Sequence, residues 1–185
     1  MSLIRSFVAV DLPPKFHSDI ARIEAKINIP GIKIVKPELI HLTLKFLGEV
    51  PEDKIDEIAS ALEKVKMEPF QARVRGAGAF PGKSIRVVWL GLEGKFEELQ
   101  RLVEDALRPF GFEEEEKKFS PHLTLARVRQ PNPSTTRQLS EKIADLSDVD
   151  LGEFTVDRIY LKKSTLTSGG PIYENLSEHV IQPSG

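Results

Sequence analysis

His41-Leu42-Thr43-Leu44 and His122-Leu123-Thr124-Leu125 spell the same tetrapeptide, HLTL, and use two of the four histidines in a chain of 185 residues. Read as a strand, the tetrapeptide has two faces, because successive side chains project to opposite sides of an extended backbone. His and Thr share one face and the leucines share the other. Each copy then offers an imidazole and a hydroxyl to one surface while its leucines anchor the strand in a core. A lone His-x-Thr is most often a histidine satisfied by a neighbour; its repetition in matching contexts points to a shared site.

The contexts match in outline. Residues 6–12, SFVAVDL, read as a strand, and Phe16, Ile20, Ile23 and Ile27 recur at helical spacing after Pro13-Pro14. Residues 32–35 and 40–47 read as extended, and a helix marked by Ile55, Ile58, Leu62 and Val65 follows Pro51. Residues 70–92 read as a strand pair turning at Pro81-Gly82, then a helix carries Phe96, Leu99, Leu102, Val103, Ala106 and Leu107. The second HLTL strand comes next, then a helix over 134–146. EFTVDRIYLKKSTL and IYENL, joined through Gly169-Gly170-Pro171, close the chain as two strands. Each HLTL therefore follows one helix and precedes another, an internal duplication in outline.

Composition narrows the chemistry. Hydrophobic residues at 40% and charged residues at 29% describe a chain that builds a core. The absence of cysteine removes disulfides, thiolate metal sites and cysteine nucleophiles, and suits a reducing cytoplasm. No run of 18 apolar residues is present, and the apolar N-terminal stretch is broken by Arg5 and Asp11, so neither a membrane span nor a signal segment is expected. A net charge of −2 argues against coating long nucleic acid, but not against gripping one RNA end.

Two imidazoles flanking one cleft, with two hydroxyls between, suit phosphodiester cleavage. Neutral imidazole accepts a proton from the attacking oxygen, imidazolium gives one to the departing oxygen, and a pKa near 6.5 permits both states. The threonines can donate to non-bridging phosphate oxygens, so the scheme calls for no metal and no cofactor. Lys45 and Arg127 are candidate cations. Lys45 shares the face of Thr43 if the strand runs on, whereas Arg127 would point away from Thr124 in an unbroken strand.

These residues resemble the 2H phosphoesterase superfamily, named for two H-x-[ST]-x motifs, and within it the RNA 2',3'-cyclic phosphodiesterase (2'-5' RNA ligase) branch. RSFVAVDLP, HLTLKFLGEV, SPHLTLARV and STLTSGGPIYENL carry the resemblance, in order, over nearly the whole chain. It implies an α+β fold over residues 1–185 as one bilobal domain: two pseudo-symmetric lobes, each a mainly antiparallel sheet with flanking helices, and a catalytic cleft between them. It implies hydrolysis of an RNA 2',3'-cyclic phosphate to a 2'-phosphomonoester, with reversal as 2'-5' ligation. Independently of the resemblance, a cytoplasmic monomer is expected. Carried over, His41 matches the general acid, His122 the general base, Thr43 and Thr124 the phosphate-oxygen donors, and Arg127 a phosphate-contacting arginine. A register break at Leu125 or Ala126 is then required to bring Arg127 to the site. Rival readings are a related activity on ADP-ribose 1'',2''-cyclic phosphate or 2'-5' oligoadenylate, and a non-catalytic module that grips RNA ends.

Other features read plainly. His17 and His179 lack a threonine two residues on and are expected to be solvated and structural, and Trp89, between Val88 and Leu90, is expected in the core, with stacking on a nucleobase as the alternative. Arg73, Arg75, Lys83 and Arg86 read as a solvated basic face that could alternatively track RNA. Residues 113–116, four glutamates, read as a solvated loop with no metal. Gly76, Gly78 and Gly82 lack the G-K-[ST] of a phosphate-cradling loop.

Overall fold

The computed structural model describes residues 1–81 and 83–184. Its elements, in chain order, are β1 (Leu3–Asp11), α1 (His17–Ile27), β2 (Ile32–Ile34), β3 (His41–Pro51), α2 (Ile55–Leu62), β4 (Phe70–Phe80), β5 (Val87–Glu93), α3 (Phe96–Leu107), β6 (His122–Val128), α4 (Pro133–Ala144), β7 (Asp150–Val156), β8 (Arg158–Thr167) and β9 (Gly170–Val180). They form a four-stranded sheet ordered β3-β1-β8-β9 and a five-stranded sheet ordered β2-β6-β5-β4-β7. Every strand pairing is antiparallel. The α+β architecture with one HLTL strand per sheet agrees with the expectation. Gly82, half of the expected turn between β4 and β5, lies outside the described residues.

The two sheets are not the two halves of the chain. The four-stranded sheet joins N-terminal β1 and β3 to C-terminal β8 and β9. Helices are exchanged as well: α1, which leaves the four-stranded sheet, packs against β6 and α4, while α3, which leaves the five-stranded sheet, packs against β3 and α2. The apolar faces of α1 (Ile20, Ile23, Ile27) and α3 (Leu99, Val103, Leu107) therefore enter one continuous core with the leucines of both HLTL motifs. Leu42, Leu44, Leu123 and Leu125 are all buried.

The segment EFTVDRIYLKKSTL was expected as one strand and is two. It divides at Asp157 into β7 of one sheet and β8 of the other. The burial alternation shows why: Phe154 and Val156 are buried on even positions, Ile159 and Leu161 on odd ones. A strand cannot change phase and keep one face on the core, so the chain crosses between sheets there.

One buried carboxyl gives the fold a pH dependence. Glu24 on α1 is 4% exposed, and its Oε1 has no hydrogen-bond partner among the described residues. Burial first, then the nearby charge of Glu38, pushes its pKa up to about 8. The folded chain thus holds a proton that the unfolded chain releases near the ordinary value of about 4.3. The stabilisation is complete below that value and is lost as pH rises through about 8. Glu24→Gln, neutral throughout, should flatten the decline of Tm between pH 5 and 9 (about the span set by these two values). An unchanged Tm profile in the variant would contradict this assignment.

Candidate active site

The chemistry of the cleft follows from two one-residue bulges. In the β1–β3 pairing Val8 lies opposite Lys45 and Ala9 opposite Thr43, leaving Leu44 as the extra residue. In the β5–β6 pairing Val88 lies opposite Ala126 and Trp89 opposite Thr124, leaving Leu125 as the extra residue. The register break expected at Leu125 or Ala126 is therefore at Leu125, and its twin follows the first motif. Each bulge places two consecutive residues on the core side, Leu44 with Lys45 and Leu125 with Ala126. The next residue, Phe46 or Arg127, returns to the face of the His and Thr.

This geometry overturns the expectation for Lys45. Strand parity placed it exposed beside Thr43, but the Leu44 bulge turns its side chain inward, and it is only 3% exposed although it lines the same cavity as Thr43. Its Nζ donates to both carboxylate oxygens of Glu104, 2.9 Å each, and to the Glu113 carbonyl at 3.1 Å. Phe46 occupies the place that Arg127 has in the other motif.

Both imidazoles are held in the same way. His41 Nδ1 donates to the Leu39 carbonyl (2.9 Å), and His122 Nδ1 donates to the Ser120 carbonyl (2.7 Å). A carbonyl only accepts, so Nδ1 carries a proton in each ring and Nε2 is the atom free to exchange one. In neutral His41, Nε2 accepts from the Thr43 hydroxyl at 3.1 Å. Aromatic rings then fix the planes. Phe7 stacks on His41 (4.9 Å between centroids), Tyr173 meets it edge-on (5.1 Å), and Phe80 meets His122 edge-on (5.2 Å).

The motifs converge across the gap between the sheets, where β3 packs against β6. Thr43, Phe46, Phe80 and His122 line one cavity of about 830 Å³. The charge of Arg127 reaches His41 and the Tyr173 hydroxyl on the opposite sheet. On the far side of His41 a cavity of about 210 Å³ is lined by Asp11, Glu38, Lys162, Tyr173 and Asn175. Lys162 is buried there, donating to Asn175 Oδ1 (2.7 Å) and paired with Asp11 Oδ1 (2.9 Å). The His41 pKa lies below the ordinary histidine value, chiefly through burial; the Leu39 carbonyl opposes that shift, and Lys162 and Arg127 add to it.

The family model described as the 2'-5' RNA ligase superfamily matches residues 12–166. The chain belongs to the 2'-5' RNA ligase superfamily. It is 37% identical over 177 residues to the RNA 2',3'-cyclic phosphodiesterase of Methanocaldococcus jannaschii, covering 95% of this chain and 99% of that protein. It is 40% identical over 183 residues to the protein of the same name from Thermotoga maritima, covering 95% and 94%. Among solved structures, TT0787 of Thermus thermophilus superposes with a TM-score of 0.83 at 29% identity, covering 98% of this chain and all of that one. E. coli LigT shares the fold with a TM-score of 0.78 at 24% identity, covering 99% and 100%.

In this superfamily member, several residues beyond the motifs surround the histidines. Phe7, Tyr173, Phe80 and Lys162 were not singled out from sequence, although alternation along RSFVAVD puts Arg5, Phe7, Ala9 and Asp11 on one face. Trp89 was expected in the core, but it lies opposite Thr124 on the cleft side of its sheet and is half-buried, tilted against Phe80 at 5.2 Å. His179 is structural as expected but not solvated: it is 2% exposed, bonded through Nδ1 to Glu63 (2.6 Å) and through Nε2 to Ser177 (2.8 Å). Arg73 of the basic stretch is spoken for by Asp150 and Glu153.

The support under His122 is testable. A Cβ on Gly78 would lie 2.3 Å from Trp89 Cζ2, so Gly78→Ala must displace the indole and with it Phe80. We expect a loss of about 1–3 kcal/mol in denaturant unfolding. An undisturbed stability would show that the indole has room to move.

Proposed function

We propose that this chain hydrolyses RNA 2',3'-cyclic phosphate ends to 2'-phosphomonoesters by general acid/base catalysis between His41 and His122. The observation that carries the reading is the matched pair of Nδ1-to-carbonyl bonds, which leaves one exchangeable Nε2 on each of two strands that pack against one another. His122 takes the proton of the attacking water, His41 protonates the departing O3', and the phosphorus keeps its bond to O2'. Thr43, Thr124 and Arg127 hold the non-bridging oxygens while attacking and leaving oxygens lie in line. With an RNA 5'-hydroxyl in place of water, the same two roles give a 2'-5' linkage, and they exchange only when that linkage is cleaved back to the cyclic phosphate. Phe46 (42% exposed) and Phe80 (36% exposed) offer ring faces beside the phosphate site for a nucleobase. The reading includes a monomer in the cytoplasm, the compartment that suits a chain without cysteine. No described helix is long and apolar enough to cross a membrane.

The lowered pKa of His41 gives the acid role a specific signature. Burial first, then the positive charges of Lys162 and Arg127, disfavour the imidazolium in the free protein. A phosphate anion seated against Arg127 offsets that charge and favours protonation. Substrate binding should therefore draw a proton onto His41. Titration of the His41 ring by NMR should give a pKa below the ordinary value in the free protein and a higher one with a bound 2'-nucleotide. A pKa that falls on binding would reverse the assignment.

Variants test the roles directly. His41→Ala and His122→Ala should each lower kcat on a cyclic-phosphate oligonucleotide by at least about 100-fold while circular dichroism shows the fold intact. Thr43→Val and Thr124→Val should slow it by about 10- to 1000-fold each. EDTA should have no effect; inactivation by EDTA would point to a metal, and full activity in either histidine variant would remove the two-histidine mechanism.

A further inference from the structure

Among the cations near the cleft, Lys45, Lys162, Arg127 and Arg5 divide into two kinds. Lys45 is neutralised by Glu104 and Lys162 by Asp11. Arg127 and Arg5 have no carboxylate within ion-pair distance among the described residues. Arg5 lies on β1 with Phe7, Ala9 and Asp11, the face that carries His41 and Thr43 through the β1–β3 pairing. Glu49 stands opposite Arg5 in that register, yet no ion pair joins them. Instead the guanidinium lies over the Phe46 ring, 4.6 Å from its centroid. Phe46 pairs with Phe7, one step nearer the motif, so the side chain leans toward the phosphate site. Its charge reaches the Tyr173 hydroxyl, as that of Arg127 does from the other sheet.

Resting on the phosphodiesterase reading, we propose that Arg5 binds the next phosphate of the RNA, the diester that links the terminal nucleotide to the preceding one. Arg127 and Arg5, one from each sheet, form an anion track two phosphates long. An unpaired guanidinium fixed on an aromatic face is a pre-oriented fork for phosphate oxygens, needing no ordering when substrate arrives. The enzyme would then favour RNA ends over mononucleoside cyclic phosphates, because only the former present the second phosphate.

The test compares kcat/KM on a mononucleoside 2',3'-cyclic phosphate with that on a dinucleotide ending in the same group. Wild type should prefer the dinucleotide, and Arg5→Gln should remove about 10- to 100-fold of that preference. Arg5→Lys should restore part of it. The salt dependence on the dinucleotide should weaken in Arg5→Gln by about 0.7 in logarithmic slope, one single-strand phosphate contact. Replacing the internucleotide phosphate by a neutral methylphosphonate should cost wild type the same factor and leave Arg5→Gln indifferent. The methylphosphonate arm needs no variant, so it decides even if Arg5→Gln misfolds. Equal losses on both substrates in Arg5→Gln, or a wild type indifferent to methylphosphonate, would overturn the proposal. A wild type inactive on both substrates would instead overturn the phosphodiesterase reading beneath it.

Discussion

The extra residue that ends each HLTL motif, Leu44 in one strand and Leu125 in the other, is the constraint on which the rest of the site depends. Unbroken alternation would put Lys45 in the cleft and Arg127 in the core, stranding one charge and misplacing the other. The bulges reverse both outcomes. Lys45 enters the interior where Glu104 and the Glu113 carbonyl receive it, and Arg127 emerges beside Thr124. A buried ammonium is tolerable only with such partners, so the Lys45–Glu104 pair also holds the first bulge in register.

The exchange of α1 and α3 explains how two sheets hold one geometry. Each HLTL strand is backed by a helix that the chain delivers from the opposite sheet, so the leucines of both motifs share a core. Moving one sheet against the other would expose apolar surface on both. The carbonyls of Leu39 and Ser120, two residues before each histidine, then set the ring tautomers within that frame. The pseudo-symmetry is broken where the chemistry needs it: Phe46 stands where Arg127 stands, and His41 is clamped by two rings where His122 meets one.

Much of this was legible in the sequence, for physical reasons that differ by element. HLTL could be read because period-two alternation is local, and each helix because its apolar spacing is local. The bulge at Leu125 could be inferred only because a resemblance required Arg127 in the site; the bulge at Leu44, with no such requirement, was missed and Lys45 misplaced with it. Pairing partners are non-local, so the division of EFTVDRIYLKKSTL between sheets was not foreseen, although the phase change at Asp157 records it. Tyr173 and Phe80 are remote in sequence from the histidines they contact, and no local pattern marks them. The Glu24 carboxyl, on a helix face that reads as amphipathic, gave no sign of its burial.

The central claim is that the two imidazoles act on opposite sides of one phosphorus, His41 on the leaving oxygen and His122 on the nucleophile. A cyclic-phosphate substrate with sulfur replacing the 3' oxygen tests this most directly, because a thiolate leaves without a proton. The account predicts that this substitution rescues hydrolysis by His41→Ala and leaves His122→Ala inactive. Rescue of His122→Ala instead, or of neither variant, would contradict it.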